Sequence, residues 1–104
     1  MNKYIIAYHG GIKFETKEEG ARHMEKWKSW MMGLGKAVIN PGTPVSKSKF
    51  VSAKGVSDKG DSVPLSGYSI IEAETLDAAV EMTKNCPHLS MGTIEVAEMM
   101  DMKM

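Results

Sequence analysis

The sequence contains little that would direct the chain to nucleic acid, to a membrane or to an oxidising compartment. Its 104 residues include one cysteine, Cys86, so no disulfide can form within the chain, which is typical of a reducing compartment. Thirteen Lys and Arg residues balance thirteen Asp and Glu residues, so no overall charge attracts nucleic acid or anionic lipid. We therefore expect a cytoplasmic protein with no nucleic-acid partner and no membrane partner.

Long apolar runs are also missing. No run approaches the roughly 18 residues of a transmembrane helix, and the apolar part of the N-terminal "MNKYIIAYHGG" is too short for a signal peptide. The composition, 42% hydrophobic and 25% charged, is ordinary for a globular protein. At this length it predicts a single domain over residues 1–104.

The first third of the chain predicts one strand and one helix. The stretch 3–9, "KYIIAYH", is β-branched and aromatic, as strands are. Thr16 and Glu19 have the spacing of a capping box, which predicts a helix from about 17 to 34. A glycine can adopt the left-handed conformation that ends a helix, and two are placed to do so, Gly33 and Gly35.

The rest of the chain predicts further strands and a second helix. Thr75 should cap that helix, and Pro87 must follow its end. Its buried face has spacings of three and four residues and consists of Leu76, Ala79, Val80 and Thr83. The strands are "KAVINPGTP", broken by Pro41-Gly42, a poorer "KSKFVSAKGVS", then "SGYSIIEAE" and "GTIEVAEM". The stretch "DKGDSVP" between the second and third of these predicts a turn. Apart from the poorer strand, the order is β-α-β-β-α-β, that of the α+β, ferredoxin-like fold, with an antiparallel sheet and both helices on one face.

Both faces of the predicted sheet are apolar. In the first strand Tyr4, Ile6 and Tyr8 point one way, while Ile5 and Ala7 point the other. The helices can cover only one face, and a large uncovered apolar face is unusual in a monomer. We therefore expect the chain to pair with itself, as a homodimer packed sheet against sheet.

At this point the chain resembles a known family, the YCII-related (DGPF-type) domains of the dimeric α+β-barrel superfamily. The resemblance lies in "MNKYIIAYHGG", "HMEKWKSWMMGLG", "SGYSIIEAETLDAAVEMTKNCP" and "CPHLSMGTIEVAEM". It implies the same fold and a dimer. It does not select an activity, because the superfamily includes isomerases, oxygenases, dehalogenating enzymes and binding modules.

The resemblance also implies one candidate catalytic residue, His23. It falls on the position of a histidine that YCII-related proteins are suspected of pairing with an aspartate after the second strand. The matching stretch here, "NPGTPVSKSK", contains no acid, and "GDSVPLSG" stands in place of the DGPF signature. An imidazole near its ordinary pKa suits a general base, but structural and ligand-binding roles for His23 stay open. Glu19, one turn earlier, is within reach of it on a helix.

The aromatic and histidine residues supply candidates for ligand binding. Met24, Trp27, Met31 and Leu34 recur at spacings of three and four, which predicts a buried stripe, with His23 and Trp30 on its edge. Packing alone explains such a stripe, but its aromatic side chains also suit the wall of a pocket. The predicted ligand-binding residues are Tyr8, His9, Trp27, Trp30, Tyr68 and His88.

No motif indicates a metal or a cofactor. The three histidines and the cysteine lack metal-binding spacings, and no phosphate-binding or dinucleotide-binding motif is present, so we expect neither. The first hypothesis is a dimeric module that binds a small acidic or aromatic molecule. The alternatives are a lyase or isomerase that moves a proton through His23, and an accessory protein that acts through protein–protein contacts.

Overall fold

The computed structural model describes residues 1–11, 15–58 and 63–101, and it has two helices and six strands within them. Helix α1 spans Lys17–Leu34 and α2 spans Leu76–Thr83, with short 3-10 turns at Gly35–Ala37 and Pro87–Ser90. The strands are β1 (Asn2–Gly10), β2 (Val38–Pro44), β3 (Phe50–Ser52), β4 (Gly55–Ser57), β5 (Leu65–Ala73) and β6 (Gly92–Glu98).

Four of the strands form one antiparallel sheet in the order β2-β5-β1-β6. With α1 between β1 and β2, and α2 between β5 and β6, this is the β-α-β-β-α-β arrangement, so the α+β, ferredoxin-like fold is confirmed. The central strands β1 and β5 are in register from Asn2 opposite Ala73 to Tyr8 opposite Gly67.

Helix α1 begins and ends where the sequence predicts. The Thr16 hydroxyl accepts a hydrogen bond from the Glu19 amide at 3.1 Å, and the Glu19 carboxylate accepts from the Glu15 amide at 3.3 Å. Gly35 ends the helix with a positive φ of 57°, which costs a residue without Cβ little.

Helix α2 is capped by Thr75 as predicted, but its buried face is rotated. Ala79 and Thr83 are buried, whereas Leu76 and Val80, predicted for the same face, are 46% and 37% exposed. Met82 instead packs against the core. The rotation brings the Met82 carbonyl to α1, where it accepts a hydrogen bond from Trp30 Nε1 at 3.0 Å.

The middle of the chain differs most from expectation. The single poor strand predicted from "KSKFVSAKGVS" is a separate, exposed hairpin made of β3 and β4. The turn predicted at "DKGDSVP" lies partly outside the described residues. Strand β2 continues through Pro41-Gly42 because its register shifts there and the Gly42 amide donates to Asn40 Oδ1 at 2.8 Å. Gly42 has φ 76°, and a Cβ would lie 1.7 Å from the Tyr68 carbonyl oxygen.

The core lies between the sheet and the helices. Tyr4, Ile6 and Tyr8 of β1 point into it, together with Ile71 and Ala73 of β5. The residues that alternate with them face the other side of the sheet. There Ile5 pairs with Ile70, and both side chains are only half-buried in the single chain.

Candidate functional site: a cleft between the first helix and the sheet

A cleft of about 570 Å³ opens between α1 and one end of the sheet. The N-terminal half of α1 forms one wall, the ends of β1, β2 and β5 form the floor, and the 3-10 turn before β6 forms the far end. It is lined by Tyr8, Gly10, Gly11, His23, Met24, Trp27, Thr43, Pro44, Val45, Ser46, Ser66, Gly67, Tyr68, His88 and Met91. The volume suits a small organic molecule, and the lining is mostly apolar with a few polar groups.

Helix periodicity explains which α1 residues reach the cleft. His23, Met24 and Trp27 are separated by one, three and four residues, so they lie on adjacent rows of the same helix face. Met31 continues this face toward the C-terminal half of α1, where it is buried. The face predicted as a packing stripe is thus a pocket wall at one end and core at the other.

A directional chain of hydrogen bonds crosses the floor of the cleft. The buried Ser69 hydroxyl donates to the Pro41 carbonyl at 2.8 Å, which uses its only hydrogen. The 2.8 Å contact between Tyr8 and Ser69 must then have the tyrosine as donor. Trp27 Nε1 donates to the Tyr8 hydroxyl oxygen at 3.2 Å. Each hydroxyl in the chain accepts and donates once, so the groups polarise one another.

These hydrogen bonds determine what Tyr8 can do in the cleft. Burial raises the pKa of the Tyr8 phenol above its usual value, and the hydrogen bond that Trp27 donates opposes this rise because it favours the charged form. The phenol is therefore neutral at physiological pH, and its proton is committed to Ser69. Tyr8 can offer a ligand an acceptor lone pair or its ring, but not an available proton.

His88 is held in one orientation. Its side chain is 5% exposed, and its Nε2 lies 2.9 Å from the carbonyl oxygen of His9. A carbonyl oxygen can only accept, so Nε2 carries the proton and Nδ1 of the neutral ring is an acceptor. The ring also meets Tyr8 edge-on, with centroids 5.4 Å apart.

Glycine provides the space for this imidazole. A Cβ at Gly92 would lie 2.4 Å from the His9 carbonyl oxygen and 2.5 Å from His88 Nε2. Both atoms belong to the hydrogen bond that holds the ring, so a larger residue at Gly92 would separate them. The backbone at the start of β6 is thus shaped around His88.

His23 lies in the same cleft, close enough to His88 for the two rings to influence each other. The pKa of His23 is lowered below 6.5, first by burial and then by the nearby His88 and Lys26. Its imidazole is therefore mostly neutral at neutral pH, which is the state needed in a hydrogen-bond acceptor or a general base.

The described residues that line the cleft include no Asp or Glu. Glu19, the acid predicted within reach, hydrogen-bonds the Glu15 amide in the helix cap. The described lining therefore does not supply the aspartate of the pair that the family resemblance implies, and His23 as a catalytic residue stays a prediction.

Five of the seven predicted site residues line the cleft: Tyr8, His23, Trp27, Tyr68 and His88. Tyr68 borders it along β5, although alternation directs its side chain to the open face of the sheet, because Gly67 and Ser69 on either side of it are buried. The other two residues, His9 and Trp30, are not among the lining residues.

His9 and Trp30 lie elsewhere for reasons of periodicity and helix length. His9 follows Tyr8 in β1, so its side chain is on the open face, with Nε2 3.2 Å from the Glu95 carboxylate. Trp30 shares a helix face with His23, but it is two turns further along α1, where that face meets α2 instead of the cleft.

Sequence reasoning missed Ser69, Met91 and the segment 43–46. Ser69 alternates with core residues of β5, and a serine within such an apolar strand is the one signal that could have marked it. Met91 and the segment 43–46 have no local signal, because only the packing of distant segments brings them to the cleft.

Within residues 1–11, 15–58 and 63–101, no three His, Cys, Asp or Glu side chains are arranged to hold a metal ion. In the same ranges, neither helix has the length and apolar character needed to cross a membrane.

Comparison with solved structures gives a fold match. The chain is similar to 5-chloro-2-hydroxyhydroquinone dehydrochlorinase (TftG) from Burkholderia phenoliruptrix AC1100, in complex with 2,5-dihydroxybenzoquinone. The TM-score is 0.55 over 90% of each chain, at 13% sequence identity. At this identity the match shows the fold alone, and it agrees with the α+β, ferredoxin-like arrangement described above. No protein-family model and no curated protein sequence matches the chain.

Proposed function

We propose that this protein is a YCII-related, homodimeric module that binds a small ring-shaped molecule in the cleft of each subunit. The observation that carries the proposal is the cleft itself, which combines an apolar lining with the two imidazoles of His23 and His88. Trp27, Met24 and Met91 offer polarisable surfaces to a flat ligand. The imidazoles offer the few polar contacts that orient such a ligand.

The fold comparison supports a ring-shaped ligand. TftG, with the same fold, is described in complex with 2,5-dihydroxybenzoquinone, a planar ring with oxygen substituents at its edge. A ligand of this kind matches the chemistry of the cleft, where Trp27 and Tyr8 present rings and the histidines present nitrogen atoms.

The two tryptophans provide a test with an internal control. The indole N–H of Trp27 lies in the cleft, bonded to Tyr8, while that of Trp30 is bonded to Met82 outside it. In a ¹⁵N-labelled sample, 2,5-dihydroxybenzoquinone should shift the Trp27 indole signal and leave the Trp30 signal in place. The variants Trp27→Phe and Trp30→Phe assign the two signals. Equal shifts of both, or of neither, over a full titration would contradict binding in this cleft.

A second candidate function is proton transfer, as in a lyase or isomerase, with His23 as the base. The lowered pKa of His23 supports it because the imidazole is neutral and able to accept a proton. The comparison protein is a dehydrochlorinase, which is consistent with such chemistry on this fold. The test is exchange of ligand C–H hydrogens for deuterium in D₂O, which wild type should catalyse and His23→Gln should not.

The homodimer is supported by the open face of the sheet. Ile5, Ala7, Ile70 and Ala97 face away from the helices and are only half-buried in one chain. A second sheet packed on this face would remove them from water, at about 25 cal/mol for each Å² of apolar surface. The same face would serve an accessory protein that contacts a different chain, and measurement of the oligomeric state separates these two possibilities.

A further inference from the structure

A β-bulge lies at the floor of the cleft. Along β1, Tyr8 pairs with Gly67 and the next residue, His9, pairs with Leu65, so β5 has one extra residue at this point, Ser66. An extra residue of this kind takes its side chain out of the regular alternation of the strand, and bulges are common beside functional sites because they re-aim a side chain. Ser66 is half-buried and lines the cleft.

Ser66 is held on two sides. Its carbonyl accepts a hydrogen bond from the Val45 amide at 2.9 Å, and its hydroxyl donates to the Tyr8 carbonyl at 3.0 Å. Beyond the bulge, the Gly10 amide donates to the Pro64 carbonyl at 2.9 Å. A serine hydroxyl has one hydrogen and two lone pairs. Since the hydrogen is committed to Tyr8, Ser66 Oγ can meet a ligand only as a hydrogen-bond acceptor.

Two other hydroxyls of the cleft are committed in the same way. The Tyr8 phenol donates to Ser69, and the Thr43 hydroxyl donates to the Pro44 carbonyl at 3.3 Å. In this arrangement Tyr8, Thr43 and Ser66 offer a ligand lone pairs and no hydrogen. A ligand oxygen without a hydrogen would meet lone pairs with lone pairs, whereas an O–H or N–H group would complete a hydrogen bond.

We propose that the ligand carries O–H or N–H hydrogens at the edge of its ring, as a phenol or an aromatic amine does, and that it donates one of them to Ser66 Oγ. This proposal rests on the proposed function, to which it adds the class of ligand and the residue that recognises it. A ring whose only polar atoms are carbonyl or ether oxygens binds more weakly, because it has no hydrogen for the Ser66 lone pairs.

The probes are resorcinol and 1,3-difluorobenzene. They have nearly the same shape, but fluorine supplies no hydrogen. The shift of the Trp27 indole signal, which comes from the cleft, measures the affinity of each probe. Ser66→Ala removes the acceptor oxygen and keeps the backbone hydrogen bond to Val45. In this variant we expect the dissociation constant of resorcinol to rise about three- to tenfold, which is the effect of one hydrogen bond. That of 1,3-difluorobenzene should stay within about twofold.

Two further serine variants complete the test. Ser66→Thr keeps the hydroxyl, so it should bind resorcinol more tightly than Ser66→Ala does. Ser90→Ala removes a hydroxyl that also donates to a backbone carbonyl, that of Pro87, but outside the described lining of the cleft, so it should change neither affinity. A variant that distorts the cleft in general would weaken both probes alike, so the difference between the probes isolates the hydrogen bond.

The outcomes separate this proposal from the one on which it rests. If Ser66→Ala binds resorcinol as well as wild type does, or weakens both probes equally, the role of Ser66 is wrong and the binding module stands. If 2,5-dihydroxybenzoquinone binds and resorcinol does not, the preference for a hydrogen-bond donor is wrong. If none of the three compounds shifts the Trp27 signal, both proposals fail.

Discussion

Nε2 of His88 lies 2.9 Å from the carbonyl oxygen of His9, so the backbone of β1 determines which nitrogen of a cleft histidine carries the proton. The His9 side chain points to the opposite face of the sheet, where it meets Glu95. One residue of β1 thus contacts the cleft through its backbone and the open face through its side chain. The cleft and the proposed dimer face are separated by the thickness of a single strand.

Gly92→Ala should damage this arrangement. The new Cβ would lie within 2.5 Å of both atoms of the His9–His88 hydrogen bond, so the ring must move and lose its partner. We expect a loss of about 1–3 kcal/mol in the free energy of unfolding and weaker binding in the cleft. Urea unfolding and ligand titration measure the two effects.

The control for that variant is Gly33→Ala. Gly33 lies in the last turn of α1 with no atom near its added Cβ, so the same change should stabilise the protein by roughly 0.5–1 kcal/mol. A Gly92→Ala protein as stable as wild type would show that His88 is not held as tightly as the geometry indicates.

Ser69→Ala should destabilise the protein through the hydrogen-bond chain. It leaves the Tyr8 hydroxyl and the Pro41 carbonyl without their shared partner, which costs about 1–3 kcal/mol for buried groups. Ser90→Ala is the matched control, because the Ser90 hydroxyl also donates to a proline carbonyl, that of Pro87, but at an exposed position. We expect the control to stay within about 0.5 kcal/mol of wild type by urea unfolding. If the two changes lowered the free energy of unfolding equally, the hydrogen bonds through Ser69 would not have the proposed importance.

The lowered pKa of His23 predicts a pH dependence of stability. In the unfolded chain His23 protonates near pH 6.5, whereas in the folded protein it protonates at lower pH. Below about pH 6.5 the folded state therefore binds fewer protons at His23 than the unfolded state does. The contribution of His23 to the free energy of unfolding is complete above that pH, and it is lost as the pH falls through the folded pKa. His23→Gln should make the unfolding midpoint less dependent on pH in this range. An unchanged pH profile would contradict the shift.

Cys86 should be inert in the folded protein. It is 4% exposed, and burial raises the pKa of its thiol to about 11, so almost no thiolate is present at neutral pH. Alkylation by iodoacetamide at pH 8 should be slow in buffer and fast in urea, where the thiol becomes exposed. Rapid labelling under native conditions would show that the core opens near Cys86.

Ile70→Lys should separate the proposed dimer. Ile70 lies opposite Ile5 on the open face, and a lysine there would place an unpaired charge in a sheet-to-sheet contact. Sedimentation should show a dimer for wild type and a monomer for the variant. Met32→Lys is the control, because Met32 is 81% exposed on α1, away from that face. A monomeric wild type would contradict the dimer directly.

The amino-acid sequence by itself determined the order of the two helices and of the four strands in the main sheet, together with the ends of α1. Capping by Thr16 and Glu19, the glycine at 35 and the alternation in β1 are local signals, because hydrogen bonds and backbone sterics within a few residues produce them. The predicted single domain over 1–104 and the predicted cytoplasmic location rest on length and composition, and they stay predictions.

Only the tertiary structure decided which of the candidate residues meet. His23 and Trp30 share a helix face, yet they are separated because α2 and the sheet cover different halves of α1. His88 reaches the cleft because Gly92, the first residue of β6, leaves room for the His88 ring. Gly92 lies 83 residues after His9, whose carbonyl holds that ring. Such contacts depend on the packing of segments far apart in the chain, and no local pattern records them.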